Sequence, residues 1–462
     1  MESKFKKLIS DTFLFAIGNA LTKIILFVLM PLYTSTLTTA EYGISDTLNT
    51  LVELIIPIVT LSISDAVFRF SIDEDSKKEE IFSISIRILL KGTVVLILIS
   101  GISYFIFRYE YTIFLVLMYI TYAVKQLFGN FLRGIGKVRL FVINGIIGTL
   151  ALVVFNLLFL LQLNMGIQGY LLAIILSNLV ASIFMFQRAK LYRYINLEHK
   201  NYGLRKEMLN YSIPIIPNMI SWWINNAANR YVLLFFEGAS ITGLFSAASK
   251  MPAMINLLSS MFQQAWQYSS AKEYDKQDKN NFYSVVFNYY SSFILIACSA
   301  IVLITPFISQ FVLLGDFYKA WRYVPLLLVS AMLGCYSIYF GGFYTAAKKN
   351  KMLMISTVIG SIVNLILCLV LTPIYGVYGV LIASNMCYLT IVIIRIIDTK
   401  KYVKLRTNWF ILVISLVIVT MQSVYETFAT ESLYFIPGLL FILVLLMNSI
   451  YLVTLKVKKL LV

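Results

Sequence analysis

The sequence predicts an all-α integral membrane fold of about fourteen transmembrane helices, grouped as two six-helix lobes plus two C-terminal helices. Three observations carry that expectation. The chain of 462 residues is 60% hydrophobic and only 13% charged, whereas a soluble chain holds roughly 45–50% apolar and about 25% charged residues. Its mean hydropathy is +0.83. Apolar runs longer than the roughly 18–20 residues that cross a bilayer succeed one another along the whole length. Lipid satisfies no backbone group, so such runs must be helical. The short alternating segments of a β-barrel are absent from the sequence.

The spans fall at 10–34, 44–67, 83–106, 112–131, 140–162, 168–187, 211–236, 242–266, 283–309, 322–345, 352–373, 376–397, 409–428 and 433–454. The basic stretch Met1–Lys7 precedes an apolar run, Leu8–Thr34, which is too long for a signal-peptide core and lacks a small-residue cleavage site. It reads as a retained first span. External loops carry Arg108, Lys319 and Arg322, while most of the 38 Lys and Arg residues lie in segments on the other side. By the positive-inside rule both termini are cytoplasmic, in a bacterial cytoplasmic membrane. The net charge of +16 then reflects topology and anionic lipid headgroups, with no nucleic-acid partner implied. Cys298, Cys335, Cys368 and Cys387 all lie within spans and lack metal-ligand spacing. They read as core packing, with no metal site.

The chain repeats itself. Gly148-Thr149 and the downstream segment Gly166–Ala173 recur as Gly360-Ser361 and Gly376–Ala383. Lys137 and Arg139 match Lys349 and Lys351, and Tyr42-Gly43-Ile44 matches Thr242-Gly243-Leu244. The expected organisation is an N-lobe over 1–190, a cytoplasmic linker over 191–210 and a C-lobe over 211–398. Residues 399–462 hold spans thirteen and fourteen and a basic C-terminus. Six spans per repeat keep the same orientation, so the lobes should be related by an axis along the membrane normal, with substrate bound between them near the midplane.

Ionisable groups inside spans cost roughly 2.5–3.5 kcal/mol on insertion scales and are read by default as functional. Lys23 lies mid-span with Asn19 one turn earlier. In span two, Asp46, Asn49 and Glu53 form a polar stripe. In span seven, Trp222, Asn226 and Arg230 recur at four-residue spacing, flanked by Asn225 and Asn229, and Lys250 lies in span eight. Lys23, Arg230, Lys250, Asn19, Asn225, Asn226, Asn229, Trp222 and Trp223 therefore form the candidate substrate-binding set. Three deep cations against Glu53 suit an anionic passenger such as a pyrophosphate, and the tryptophans suit a sugar ring. Arg87 and Lys91, four residues apart near the cytoplasmic boundary, are secondary cations that either snorkel or extend the track inward; Lys125 is read as snorkelling. The bland alternative is a set of buried structural pairs, Lys23 with Glu53 among them. No catalytic residue is assigned.

Three segments carry a family resemblance. They are Thr39–Gly43 followed by Ser64–Phe70; Tyr211–Pro217 leading to Trp223 and Asn229-Arg230; and Thr242–Pro252. In order and spacing they resemble flippases of lipid-linked oligosaccharides of the O-antigen and capsule repeat-unit type. Those flippases belong to the polysaccharide-transporter branch of the multidrug, oligosaccharidyl-lipid and polysaccharide exporter superfamily. The resemblance implies a V-shaped pair of lobes around a cationic cavity. The implied cargo is a polyprenyl-pyrophosphate oligosaccharide, moved to the outer leaflet by alternating access. Membrane lipids, a polysaccharide polymerase and glycosyltransferases are the implied partners. Many relatives have Asp-Arg where this chain has Asn229-Arg230, so ion coupling at that position is not implied here. No cofactor is expected. Coupling to H+ or Na+ is left open, with Glu53 as the residue for it.

Rival readings are a peptidoglycan-precursor lipid flippase and a cation-coupled multidrug exporter of the same fold. The exporter reading suffers because the deep groups are mainly cationic. A membrane enzyme is disfavoured: the outer loops are short, the single histidine is His199 in the linker, and no Gly-rich phosphate loop precedes a Lys-Ser/Thr pair.

Overall fold

The computed structural model describes residues 22, 24–73, 77–196, 201–273, 278–347, 351–429 and 434–460, leaving out the side chains of 218, 221, 222, 225, 226, 257, 258, 264, 265, 267, 268, 271, 272, 345 and 456–460. The described residues are mostly helical and contain no β-strand. In chain order the helices are α1 (Met30–Thr36), α2 (Thr39–Val59), α3 (Ile63–Ser71), α4 (Lys78–Phe107), α5 (Thr112–Gly134), α6 (Val138–Asn156), α7 (Gly166–Arg188), α8 (Tyr202–Ser212) and α9 (Ile216–Phe236). They continue as α10 (Gly238–Ala248), α11 (Ala253–Glu273), α12 (Lys279–Val312), α13 (Val324–Ala346), α14 (Lys351–Tyr375), α15 (Val377–Thr399), α16 (Trp409–Phe428) and α17 (Phe435–Leu460).

Eleven helices among the described residues are long and apolar enough to cross a membrane. Their outer faces agree. On α4, Val94, Val95, Leu98, Ile99, Ile102 and Phe105 are each more than half exposed, a continuous apolar ladder that belongs against hydrocarbon. The protein is a multi-pass membrane protein. The other expected spans coincide with a shorter apolar helix, Ile24–Thr36, with α9, whose asparagines and Arg230 lower its hydropathy, and with the pair α10 and α11.

Two spans expected as single helices are broken. In the second, Pro57 offers no N–H to the Glu53 carbonyl, and the Ser62 N–H reaches back to the Pro57 carbonyl at 2.9 Å. Leu61 and Ser62 follow with φ of 53° and 50°, which ends α2 and lets α3 restart at a new angle. In the eighth, Pro252 removes another N–H and disfavours helix at Met251, so the chain opens between α10 and α11 with Lys250 in the gap.

The chain divides into two compact units, Met1–Leu37 with Ile44–Ala227, and Thr38–Gly43 with Ala228–Val462. The repeated sequence has repeated local geometry in each. In the first unit Gly166 has φ +54°, and in the second Gly376 has φ +57°, the left-handed region open to glycine. Three residues on, a methyl group on Gly169 would lie 3.2 Å from the Phe159 carbonyl oxygen, and one on Gly379 would lie 2.5 Å from that of Leu371. Both hairpins, α6 to α7 and α14 to α15, are closed by the same backbone-to-glycine approach.

In the second unit Gly43 and Gly243, the third repeated pair, meet directly. The backbones of α2 and α10 pass so close that a methyl on Gly243 would fall inside the Thr39 carbonyl oxygen, and Thr39 and Ser240 share a hydroxyl hydrogen bond of 2.6 Å. Small residues at a crossing let dispersion and polar contacts replace the hydrophobic drive that lipid does not supply. The same unit holds an aromatic core in which the Trp266 indole stacks on Tyr339 at 4.7 Å and donates to the Tyr339 carbonyl at 2.9 Å. Nearby, Arg395 is only 5% exposed. Its guanidinium donates to the Ser337 carbonyl and hydroxyl at 2.6 and 2.9 Å, to Ser356 Oγ at 2.9 Å, to the Leu353 carbonyl at 3.3 Å and to Thr357 Oγ1 at 2.9 Å. These five bonds tie α13, α14 and α15 together.

Candidate functional site

The break in the second span builds a site. Glu53, Ile56, Pro57 and Thr60 come from the end of α2, and Ser62, Ser64 and Asp65 from the left-handed turn and the start of α3. Tyr122 and Gln126, one turn apart on α5, face them. Ile215, Met219 and Trp223, at four-residue spacing into α9, close the remaining side. Together they enclose a cavity of about 430 Å³ in the first unit.

Several bonds fix this lining. Trp223 Nε1 donates to the Thr50 carbonyl of α2 at 2.6 Å, which sets the plane of the indole. Ser62 Oγ donates to Met219 Sδ at 3.5 Å. Asn130 of α5 donates to the Ser64 carbonyl at 3.1 Å and so holds the start of α3 in place. Asp65 interacts electrostatically with Arg133, whose guanidinium lies 4.6 Å over the Phe68 ring. None of the residues lining the cavity is Lys or Arg. Carboxylates and the Gln126 carbonyl accept hydroxyl protons, the phenol and serines both donate and accept, and the indole offers an apolar face. The chemistry suits a ligand rich in hydroxyl groups.

A second cleft, of about 170 Å³, lies elsewhere in the same unit between α4 and α8, lined by Ile84, Arg87, Ile88, Lys91, Asn201, Tyr202 and Arg205. Here the cations collect.

The sequence-derived residues therefore separate. Glu53 and Trp223 share the larger cavity, and Arg87 and Lys91 share the cleft. Lys23 and Asn19 lie outside the described residues. So do the side chains of Trp222, Asn225 and Asn226, although their backbone is part of α9. Arg230 and Lys250 belong to the second unit and are half-buried. Asn229, buried in that unit, is a helix tie: its Nδ2 donates to Ser384 Oγ at 2.8 Å, and its Oδ1 accepts from Asn364 Nδ2 at 2.9 Å and from Cys368 Sγ at 3.2 Å. Lys125 does not snorkel. Its Nζ turns inward to Asn178 Oδ1 at 2.8 Å.

Sequence reasoning assigned no role to Asp65, Tyr122, Gln126 or Arg205. Tyr122 and Gln126 carried a usable signal, two polar residues one turn apart in an apolar helix. Asp65 carried one as well, an acid inside an expected span, whereas Arg205 carried none, because the docking of α8 decides where it points.

Residues 8–267 match the family model described as polysaccharide biosynthesis protein. Among solved structures, the chain is similar to an inward-facing multidrug resistance MATE family transporter of the MOP superfamily, with 14% identity and a TM-score of 0.65 over 90% of this chain and 100% of that one. It is equally similar to the lipid II flippase MurJ in an inward closed conformation, with 16% identity and a TM-score of 0.65 over 97% of this chain and 100% of that one. An outward-facing MATE family transporter superposes with 15% identity and a TM-score of 0.56 over 84% of this chain and 93% of that one. No curated protein sequence matches the chain. With more than half its length covered by one family model, the chain belongs to the polysaccharide biosynthesis protein family.

Proposed function

We propose that the protein is a flippase that moves a polyprenyl-pyrophosphate-linked oligosaccharide repeat unit from the cytoplasmic to the outer leaflet of a bacterial cytoplasmic membrane, by alternating access, for surface polysaccharide of the O-antigen or capsule type. The observation that carries this reading is the location of the larger cavity. Every residue that lines it falls inside the segment matching the polysaccharide biosynthesis family. Its acceptors and indole face suit glycan hydroxyls and ring C–H groups. The polyprenyl tail gains nothing by leaving hydrocarbon, whereas the sugars and pyrophosphate cannot cross a dry core unaided. A lining that replaces water's hydrogen bonds lowers that barrier. In this reading Arg230 and Lys250 meet the pyrophosphate charge, Glu53 is the candidate for coupling to H+ or Na+, and both termini face the cytoplasm. The protein performs transport and makes or breaks no covalent bond. Glycosyltransferases and a polymerase act before and after it.

The test is mass spectrometry of lipid-linked intermediates in a deletion strain, with their leaflet assigned. The repeat unit should accumulate in the cytoplasmic leaflet, and wild-type gene should restore surface polymer. Trp223→Ala, which removes the indole face, should slow transport about five- to ten-fold, on the scale of one aromatic contact. A deletion strain with normal surface polymer and no intermediate would refute the reading.

A second reading has an observation of its own. Glu53 and Asp65 both line the cavity, and paired carboxylates suit a cation-coupled multidrug exporter. Hypersensitivity of the deletion strain to cationic drugs, with polymer intact, would select it. Arrest of cell-wall synthesis would instead select a peptidoglycan-precursor flippase, the activity named for one structural relative.

A further inference from the structure

The cleft between α4 and α8 combines features that packing alone does not require. Arg87 and Lys91 reach it from successive turns of α4, and Arg205 reaches it from α8. Three like charges converge on a space of about 170 Å³, against a share of about 30 Å³ for one water. Cations gathered at the edge of a low-dielectric region make a favourable place for an anion. Part of the arrangement is fixed: Arg87 donates to the Asn196 carbonyl at 3.2 Å, and Asn201 caps α8 by accepting from the Leu204 N–H at 3.0 Å. The nearby carboxylate, Glu80, is engaged by Lys77 at 3.1 Å and by Asn201 at 2.8 Å. Arg205 Nε is buried and has no hydrogen-bond partner among the described residues.

The position of the cleft identifies the kind of anion. The N-terminal turns of α4 carry Lys78, Glu79 and Glu80, and Lys91 is the last charged residue before the lipid-facing ladder of Val94, Val95 and Leu98. The mouth of the cleft therefore lies where the surface changes from water-facing to lipid-facing. Tyr202, 68% exposed, stands at the rim with an apolar body and a polar tip, the arrangement favoured at membrane interfaces. We propose that the Arg87–Lys91–Arg205 cleft binds the phosphate of a membrane lipid, holding α8 against α4 at the membrane surface. The phosphate comes either from an anionic phospholipid or from a polyprenyl pyrophosphate. The phospholipid case needs no transport and stands whether or not the cargo assignment holds.

Native mass spectrometry of the purified full-length protein in detergent, titrated separately with phosphatidylglycerol and with a polyprenyl pyrophosphate, tests this. Arg87→Gln, Lys91→Gln and Arg205→Gln should each weaken binding about five-fold, and the triple variant on the order of a hundred-fold. Lys206→Gln, an exposed neighbour outside the cleft, should change nothing. Loss confined to phosphatidylglycerol makes the cleft a phospholipid anchor, and loss confined to the pyrophosphate makes it a cargo-loading site. Either result supports phosphate binding. If the triple variant keeps its thermal melting profile and binds both lipids as the wild type does, the proposal is overturned.

Discussion

Replacing Arg395 by lysine should destabilise the protein more than replacing it by methionine. Each of the five guanidinium N–H groups has a partner, two carbonyls and three hydroxyls, at 2.6–3.3 Å. Lysine keeps the charge but has three donors, so at least two of the five bonds are lost while the charge stays buried. Hydrogen bonds to charged groups are worth about 1.5–3 kcal/mol in soluble proteins, which would give 3–6 kcal/mol. In membranes the average falls to about 0.6 kcal/mol, with a maximum near 1.7, because the unfolded reference also finds partners in lipid. A buried charge lies near the upper end of the membrane scale, so Arg395→Lys should cost about 2–3 kcal/mol. Methionine removes the charge altogether. The Ser356 and Thr357 hydroxyl protons are already donated to the Leu353 carbonyl at 3.0 and 2.9 Å, so losing the guanidinium leaves only acceptor lone pairs unfilled. Removing the buried charge also removes its desolvation cost, on the order of several kcal/mol, which offsets much of the lost bonding, so Arg395→Met should cost about 1 kcal/mol. Denaturant unfolding of both variants in mixed micelles measures the difference. A lysine variant as stable as wild type, or more stable than the methionine variant, would refute the reasoning.

Gly243→Ala should disrupt the crossing of α2 and α10, since its methyl meets the Thr39 backbone, which cannot rotate away. Overpacking of this kind costs about 1–3 kcal/mol. Gly101→Ala is the control: its methyl meets nothing within 4 Å and should stabilise α4 by about 0.5–1 kcal/mol. Size-exclusion profiles and melting of the two variants should therefore move in opposite directions. Gly342→Ala drives a methyl into the Trp266 indole and should break the 2.9 Å bond to the Tyr339 carbonyl. A red-shifted tryptophan emission with lowered melting temperature would report it, and unchanged emission with unchanged melting would contradict the packing described.

The helical membrane fold was legible because hydropathy and run length are properties of composition, which packing does not alter. The repeat was legible for a related reason. Gly166 and Gly376 both have positive φ, and such a backbone admits few residue types, so the glycine persists where its surroundings have diverged. The breaks after Val59 and Ala248 were harder to read, although Pro57 and Pro252 mark both. A proline in a membrane span is tolerated often enough that it kinks one helix and divides another, and the deciding factor is the packing of the next segment. Site residues depend on such breaks. Asp65 reads as the tail of a span until the turn at Leu61 and Ser62 swings α3 beside α5. The alignment of Arg205 with Arg87 depends on how α8 docks, which no periodicity within α8 records.

The charges inside the spans show where the insertion-cost argument needs a second criterion. That cost, roughly 2.5–3.5 kcal/mol, falls on Arg395 and Glu53 alike, yet the two side chains differ in what surrounds them. Arg395 has every donor occupied by its own fold, and a ligand would have to displace a bond to reach it. Asn229, though neutral, is in the same condition: its amide spans Ser384, Asn364 and Cys368. Glu53 is exposed and opens onto a cavity of about 430 Å³. Arg205, which lines the second cleft, has one buried N–H with no partner among the described residues. Insertion cost identifies groups that must be compensated. Hydrogen-bond saturation then separates compensation by the protein's own helices from compensation by something that arrives. By that measure Arg395 and Asn229 serve the fold, whereas Glu53 and Trp223 line a cavity and Arg87, Lys91 and Arg205 line a cleft.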